Sequence, residues 1–329
     1  MEQAFIDSIF KIGDEKTFRA AALKVFHFQA KHTPVYKDYL AALGVDPSRI
    51  KEVEEIPFLP IEFFKSHTVL AEGKGAEVVF ESSGTTGTSP SQHHVADTRL
   101  YRESFLRNFN SFYGSPEELC IMVLLPSYLE RESSSLVYMM NQLIQWSKHP
   151  DSGFYLDHLG ELSAILGKRN NDRHPTLLLG VSFALLDLAE QHPISLWNNI
   201  SVMETGGMKG RRKELVRSEL HQQLQKAFAI QSIHSEYGMT ELLSQAYSAG
   251  DGLFKTPPWM KVLVRDPNDP LSLLPSGQSG GINIIDLANI YSCSFIATGD
   301  LGKVYEDGSF EVLGRYDHSD IRGCNLLIG

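Results

Sequence analysis

The chain has 329 residues, 42% of them apolar and 21% charged. That composition supports a packed core in one large or two ordinary domains and excludes global disorder. Forty acids against thirty bases leave a net charge of −10, which repels a phosphate backbone and argues against nucleic acid as a partner.

The first third is predicted to be helical. Asp14 is a candidate N-cap, and Phe18, Ala22, Val25 and Gln29 follow at helical spacing with Ala21 beside them. Thr33-Pro34 ends that helix, and a second short one is expected over Tyr36–Leu43, closed by Gly44. Ile56-Pro57-Phe58-Leu59-Pro60 is too rich in proline for a regular element and reads as an extended apolar connector into Ile61–Lys65.

From about Glu77 the pattern alternates. Apolar β-like runs at Val78–Phe80, Cys120–Leu125, Thr176–Leu179, Ser201–Glu204 and Ile230–His234 are interleaved with helical patterns at Asp97–Phe112, Ser133–Trp146, Ser182–Gln191 and Arg211–Phe228. Such alternation predicts a largely parallel α/β sheet. After Gly250 short strands crowd together at Lys261–Arg265, Gly281–Asp286, Ser294–Ala297, Gly302–Tyr305 and Phe310–Leu313, with Asp307-Gly308 marking a tight hairpin. The expected organisation is therefore a helical region over 1–75 packed on the core, an α/β core over 76–255, and a small antiparallel β unit over 256–329, joined near Pro257-Pro258.

Three cysteines (Cys120, Cys293, Cys324) and no basic-then-apolar leader fit a reducing compartment. The longest apolar stretches, Leu119–Leu125 and Leu177–Ala189, are too short to span a bilayer. The expectation is a soluble cytoplasmic protein without membrane insertion.

Four segments carry candidate chemistry. Ser82-Ser83-Gly84-Thr85-Thr86-Gly87-Thr88-Ser89-Pro90 combines hydroxyls with glycines after an apolar run, as a phosphate cradle requires, though alone it reads as a flexible linker. Glu204-Thr205-Gly206-Gly207 opens a basic helix predicted over Lys209–Lys226, and paired glycines there admit a flat ligand or a phosphate; alone they make an ordinary turn. Ser235-Glu236-Tyr237-Gly238-Met239-Thr240-Glu241 offers a ring to stack on a purine, a hydroxyl for a phosphate, and in Glu241 a carboxylate suited to Mg²⁺; its plain alternative is an acidic helix start. Thr298-Gly299-Asp300 with Gly314-Arg315 offers a carboxylate for a ribose diol and a nearby cation, or else a common β-turn.

In order and spacing, these motifs closely resemble those of the adenylate-forming superfamily (acyl-CoA synthetases, peptide-synthetase adenylation domains, firefly-type luciferases) over residues 75–323. The resemblance implies the large N-terminal domain of those enzymes and a reaction of ATP with a carboxylic acid to give an acyl-adenylate and pyrophosphate. It implies that Ser82, Ser83, Gly84, Thr85, Thr86, Gly87 and Thr88 hold the β- and γ-phosphates, Thr240 the α-phosphate and Glu241 the Mg²⁺. Asp300 and Arg315 would hold the ribose, while Gly206, Gly207, Ser235, Glu236 and Tyr237 frame the adenine, with Gly238 also among the nucleotide-binding residues.

Within the superfamily, Ile56–Lys65, Pro126-Ser127-Tyr128-Leu129-Glu130-Arg131 and Asp320-Ile321-Arg322-Gly323-Cys324-Asn325 resemble the acyl-protein synthetases of the bacterial bioluminescence operon, the LuxE type. That resemblance implies a fatty acid as substrate, transfer of the acyl group to Cys324 near the C-terminus, and an acyl-carrier or reductase protein as partner. Two other readings stay open: an aryl- or acyl-CoA ligase of the phenylacetate type using coenzyme A, and a non-catalytic nucleotide-binding module.

The pattern departs from the superfamily in two places. Pro90 is followed by Ser91 where many acyl-CoA synthetases have lysine, and the sequence ends six residues after Gly323, so the mobile domain that brings a catalytic lysine is expected to be absent. Arg315, His318 and Arg322 lie close to Cys324 in sequence and are candidates to raise its thiolate fraction. His93-His94 lacks a third ligand at metal-binding spacing, and one of the pair is a candidate lining of the acyl site. Further acyl-pocket candidates are Tyr128, Gly180, Ser182, Phe183 and Met208, with core packing the simpler role for Phe183.

Overall fold

The computed structural model describes residues 3–82, 89–126, 133–206, 212 and 215–315. Among them, one six-stranded sheet runs in the order Gly153–Phe154, Cys120–Leu124, Thr176–Val181, Ile200–Thr205, His234–Tyr237, Ala246–Ser248. All its pairings are parallel except the last, which is antiparallel. Cys120–Leu124 and Thr176–Val181 are buried at every position, so they read as unbroken apolar runs rather than alternating ones.

Helices cover this sheet, and their starts are set locally. Thr98–Tyr113 begins behind Asp97, whose carboxylate accepts from the Arg99 N–H at 2.9 Å. Ser135–Ser147 begins behind Ser134, and Ser182–Gln191 follows its strand directly. The expected basic helix starts late: Val216 is extended and the helix runs Arg217–Phe228, so the paired glycines do not open it. A helix over Leu159–Asp172 and a polar strand over Gln92–Val95, hairpinned with Val78–Glu81, were not among the expected elements.

The second six-stranded sheet orders Leu253–Phe254, Phe310–Arg315, Phe295–Val304, Ser279–Asp286 and Met260–Arg265, with Leu59–Pro60 pairing in parallel with Ile296–Ala297. The two short strands expected at 294–297 and 302–305 are one ten-residue strand, Phe295–Val304. Leu301 pairs with Gly281 and Ala297 with Asn283, so Thr298, Gly299 and Asp300 stand opposite Ile282 alone. The motif read as a β-turn is thus a bulge in a continuous strand, a device that re-aims a side chain at a sheet edge. The hairpin at Asp307-Gly308 closes through residues 305–309, with Gly308 at φ +82° and Asp307 accepting from Ser309.

The N-terminal helices Glu15–His32 and Pro34–Ala42 pack on this second sheet. Asp14 caps the first through a reciprocal bond with Thr17, as expected. Gln29, fully buried, donates to the Asn289 and Ile290 carbonyls at 2.9 and 3.0 Å and accepts from the Ser294 N–H at 2.9 Å. One continuous apolar cluster runs through all these layers. No helix among the described residues is long and apolar enough to cross a membrane.

Candidate active site

The site gathers at the carboxyl ends of Ile200–Thr205 and His234–Tyr237, where ligands of open α/β sheets bind. The second sheet faces this edge. Tyr237, at the end of its strand, donates its hydroxyl to Asp300 Oδ2 at 2.7 Å. Burial, with the Asp300 carboxylate beside it, pushes the Tyr237 phenol far above its usual range, so it keeps its proton and donates it to Asp300. Asp300 is itself 7% exposed and accepts at 3.3 Å from Arg315 Nε, its register partner across the bulged pair. Arg315, by contrast, is almost fully exposed.

Thr240 and Glu241 lie in an irregular stretch between His234–Tyr237 and Ala246–Ser248, not at the helix start read from the sequence. Glu241 is 5% exposed. Burial pushes its carboxyl up, opposed by the Ser91 hydroxyl and by the Arg315 and Lys65 charges. Ser91 in turn stands at the mouth of the hydroxyl-rich loop: its N–H donates to Ser82 Oγ at 2.9 Å, and the Ser82 N–H donates to the Ser91 carbonyl at 3.0 Å. Tyr237, Asp300 and Arg315 are thus joined by hydrogen bonds, Ser82 and Ser91 by another pair, and Glu241 feels both the Ser91 hydroxyl and the Arg315 charge. Ser83, Gly84, Thr85, Thr86, Gly87, Thr88, Gly207 and Cys324 lie outside the described residues, as do Tyr128 and Met208.

Gly206 takes φ +68°, a conformation that glycine adopts without strain. A Cβ at Gly238 would meet Glu236 Oε1, so the Glu236 carboxyl would have to move. Glu236 accepts from Thr205 Oγ1 at 2.5 Å across the parallel pair, and burial, with Glu204 nearby, pushes its carboxyl up to about 7. The opposite face of the same strands carries Ser235, fully buried, with its hydroxyl 3.3 Å from His221 Nε2. The side chains of Ser235 and Glu236 thus have protein partners.

Sequence reasoning missed the group behind Gly206. Glu204 is 3% exposed and meets Arg217 Nε at 3.2 Å and His221 Nε2 at 3.4 Å. Burial raises its carboxyl, but His221 and Arg217 outweigh that and hold it below the usual range. Arg217 also donates to the Val312 carbonyl at 3.2 Å, tying the first sheet to the strand that carries Arg315. Nothing in the local sequence marks this, because Glu204 and Val312 are distant along the chain. Ser182 donates to the Gly206 carbonyl at 3.1 Å from beneath, and Phe183 is buried in the core. His93 is fully buried with its ring against Phe64.

The fold is similar to that of solved adenylate-forming enzymes. Solved relatives include ATP-bound MatB from Rhodopseudomonas palustris (TM-score 0.56, 16% identity, 74% of this chain and 50% of that one). A 2-hydroxyisobutyryl-CoA ligase in the postadenylation state, bound to its acyl-AMP, matches with TM-score 0.64 and 14% identity over 92% of this chain and 68% of that one. The chain thus spans about half the length of the MatB structures it matches.

At the level of family, the profile of the acyl-protein synthetases, LuxE, matches residues 10–329, and the chain belongs to that family. It is 24% identical over 315 residues to the long-chain-fatty-acid–luciferin-component ligase of Vibrio harveyi, covering 88% of this chain and 82% of the relative. The protein is an AMP-forming acyl ligase: it activates a carboxylic acid as its adenylate and transfers the acyl group.

Proposed function

We propose that the acid is a long-chain fatty acid, that Thr240, Glu241, Asp300 and Arg315 hold the ATP that activates it, and that the acyl group passes to Cys324 or to a thiol of a partner protein. The observation that carries this is the convergence of Tyr237, Asp300, Arg315 and Glu241, from separate motifs, beside the mouth of the hydroxyl-rich loop. The name of the Vibrio harveyi relative supports the chain length.

In the first step a carboxylate oxygen of the acid attacks the α-phosphorus of ATP. The bond to the pyrophosphate bridging oxygen breaks and pyrophosphate leaves. Asp300, pinned by Tyr237 and Arg315, accepts from the ribose diol, and Arg315 balances phosphate charge. Thr240 and the loop hydroxyls donate to phosphate oxygens as charge shifts onto them. Glu241, a buried carboxylate, would hold Mg²⁺, whose charge would offset that of the phosphates.

In the second step a thiolate attacks the acyl carbonyl, AMP leaves, and the thiol proton goes to solvent. Cys120 and Cys293 are fully buried, and burial pushes their thiols up to about 11 and about 12. Neither suits a nucleophile, which favours Cys324, a reductase or carrier thiol, or coenzyme A as acceptor. The test is exchange of labelled pyrophosphate into ATP over acids of graded length, followed by intact-mass measurement after ATP and fatty acid. Acid-dependent exchange and an acyl adduct lost in Cys324→Ser are expected. No exchange with any acid refutes the activation reading, and free coenzyme A thioester without an adduct moves the acceptor off the chain.

A further inference from the structure

Strand Gln92–Val95 is the return arm of the hairpin that holds the hydroxyl-rich loop. Its side chains alternate, and His93 points inward, fully buried, edge-on to Phe64 with ring centroids 5.7 Å apart. An aliphatic side chain would fill that place without the cost of burying ring nitrogens, so the imidazole must be held by a bond. His93 Nδ1 lies 2.8 Å from the Thr240 carbonyl oxygen. A carbonyl only accepts, so Nδ1 carries the proton. Burial pushes the ring down to about 4, opposed by the Thr240 bond, and keeps it neutral.

The next carbonyl is held as well: Asn289 Nδ2 donates to the Glu241 oxygen at 2.6 Å. Asp286 then accepts from the Leu243 and Ser244 N–H groups at 2.8 and 2.9 Å and from Ser244 Oγ at 2.6 Å. The segment 240–244 belongs to neither helix nor strand, so these buried side chains set its backbone.

We propose that His93 is a positioning residue for adenylation: its Nδ1–H fixes the Thr240 carbonyl and so ties the phosphate-loop hairpin to the Thr240–Glu241 pair. This rests on the roles proposed above for Thr240 and Glu241. His93 touches no substrate; it sets the spacing between groups that do.

The test compares the full chain with His93→Leu, which fills the space without a donor, and His93→Asn, whose amide nitrogen stands where Nδ1 stood. Pyrophosphate exchange gives kcat and the KM for ATP; amide hydrogen exchange without substrate reports protection along the chain. His93→Leu should lose about ten- to a hundredfold in kcat with KM moved less than about threefold. It should also lose protection at 240–244 while Thr176–Val181 and Ile200–Thr205 keep theirs. His93→Asn should recover both readouts to within about threefold of wild type. Equal losses in the two variants, protection lost throughout the chain, or a wild-type kcat in His93→Leu each overturn the proposal. If the wild-type chain exchanges no label with any acid, the functional reading falls, and the amide comparison alone decides whether His93 fixes the segment.

Discussion

Glu236→Gln removes a carboxyl that the fold buries beside Thr205 and Glu204 without a cation. In the folded chain this group keeps its proton up to about pH 7, whereas its ordinary value is 4.5. Between those values the folded state binds a proton that the unfolded state has lost, so stability present at low pH declines as pH rises through 7. A carboxyl displaced from 4.5 to about 7 carries about 3 kcal/mol at about 1.4 kcal/mol per pH unit, most of it falling between pH 5 and 8. Glutamine keeps the shape above Gly238 and can still bond Thr205 Oγ1, but has no proton to lose. Urea unfolding of both proteins at pH 5 and pH 8 reads the difference directly. Relative to wild type, Glu236→Gln should gain about 2–3 kcal/mol on going from pH 5 to pH 8. Asp286, pushed up to about 6 by burial, moves both proteins alike and cancels. Parallel pH dependence in the two would refute the assignment of a protonated Glu236.

Three further outcomes are expected. Glu241→Gln should lower pyrophosphate exchange on the order of a hundredfold, because the cation loses its protein carboxylate; near-wild-type exchange would exclude Glu241 as the ligand. Asp300→Ala removes a charged acceptor and strands the Tyr237 hydroxyl, so ATP affinity should weaken by about 1.5–3 kcal/mol in equilibrium titration, and unchanged affinity would take Asp300 out of the ribose site. In the native chain Cys120 and Cys293 should resist a thiol reagent at pH 7 for as long as the fold holds; peptide mapping that finds either modified as fast as a free thiol would contradict their burial.

Where a local signal existed, the sequence was legible. Asp14 and Asp97 mark helix starts, Pro34 marks a helix boundary, and the apolar runs at Cys120–Leu124 and Thr176–Val181 mark doubly covered strands. Motif order along the chain pointed to Tyr237, Asp300 and Arg315 as parts of one site, and the structure does place them in contact. What stayed hidden depends on distant partners. Gln92–Val95 is a strand because Val78–Glu81 pairs with it, despite a polar composition that no propensity favours. Thr240–Glu241 looks like a helix start, but His93 and Asn289 bind its carbonyls, and Asp286 takes the Leu243 and Ser244 N–H groups that follow. The bulge at Thr298–Asp300 exists only in the register of two neighbouring strands, and glycine and aspartate by themselves read as a turn.

The pairing of Leu59–Pro60 with Ile296–Ala297, together with Gln29 inserted against Ser294, dictates an order of assembly. The first sixty residues have no complete resting place until synthesis has passed residue 297. Closing that loop is a long-range event, and such contacts form slowly. A fragment beginning at the hairpin would leave the edge of that strand bare at Ile296–Ala297, a short template for unwanted strand addition. The nucleotide-handling part is therefore not a separable module: the beginning and the end of the chain clasp each other.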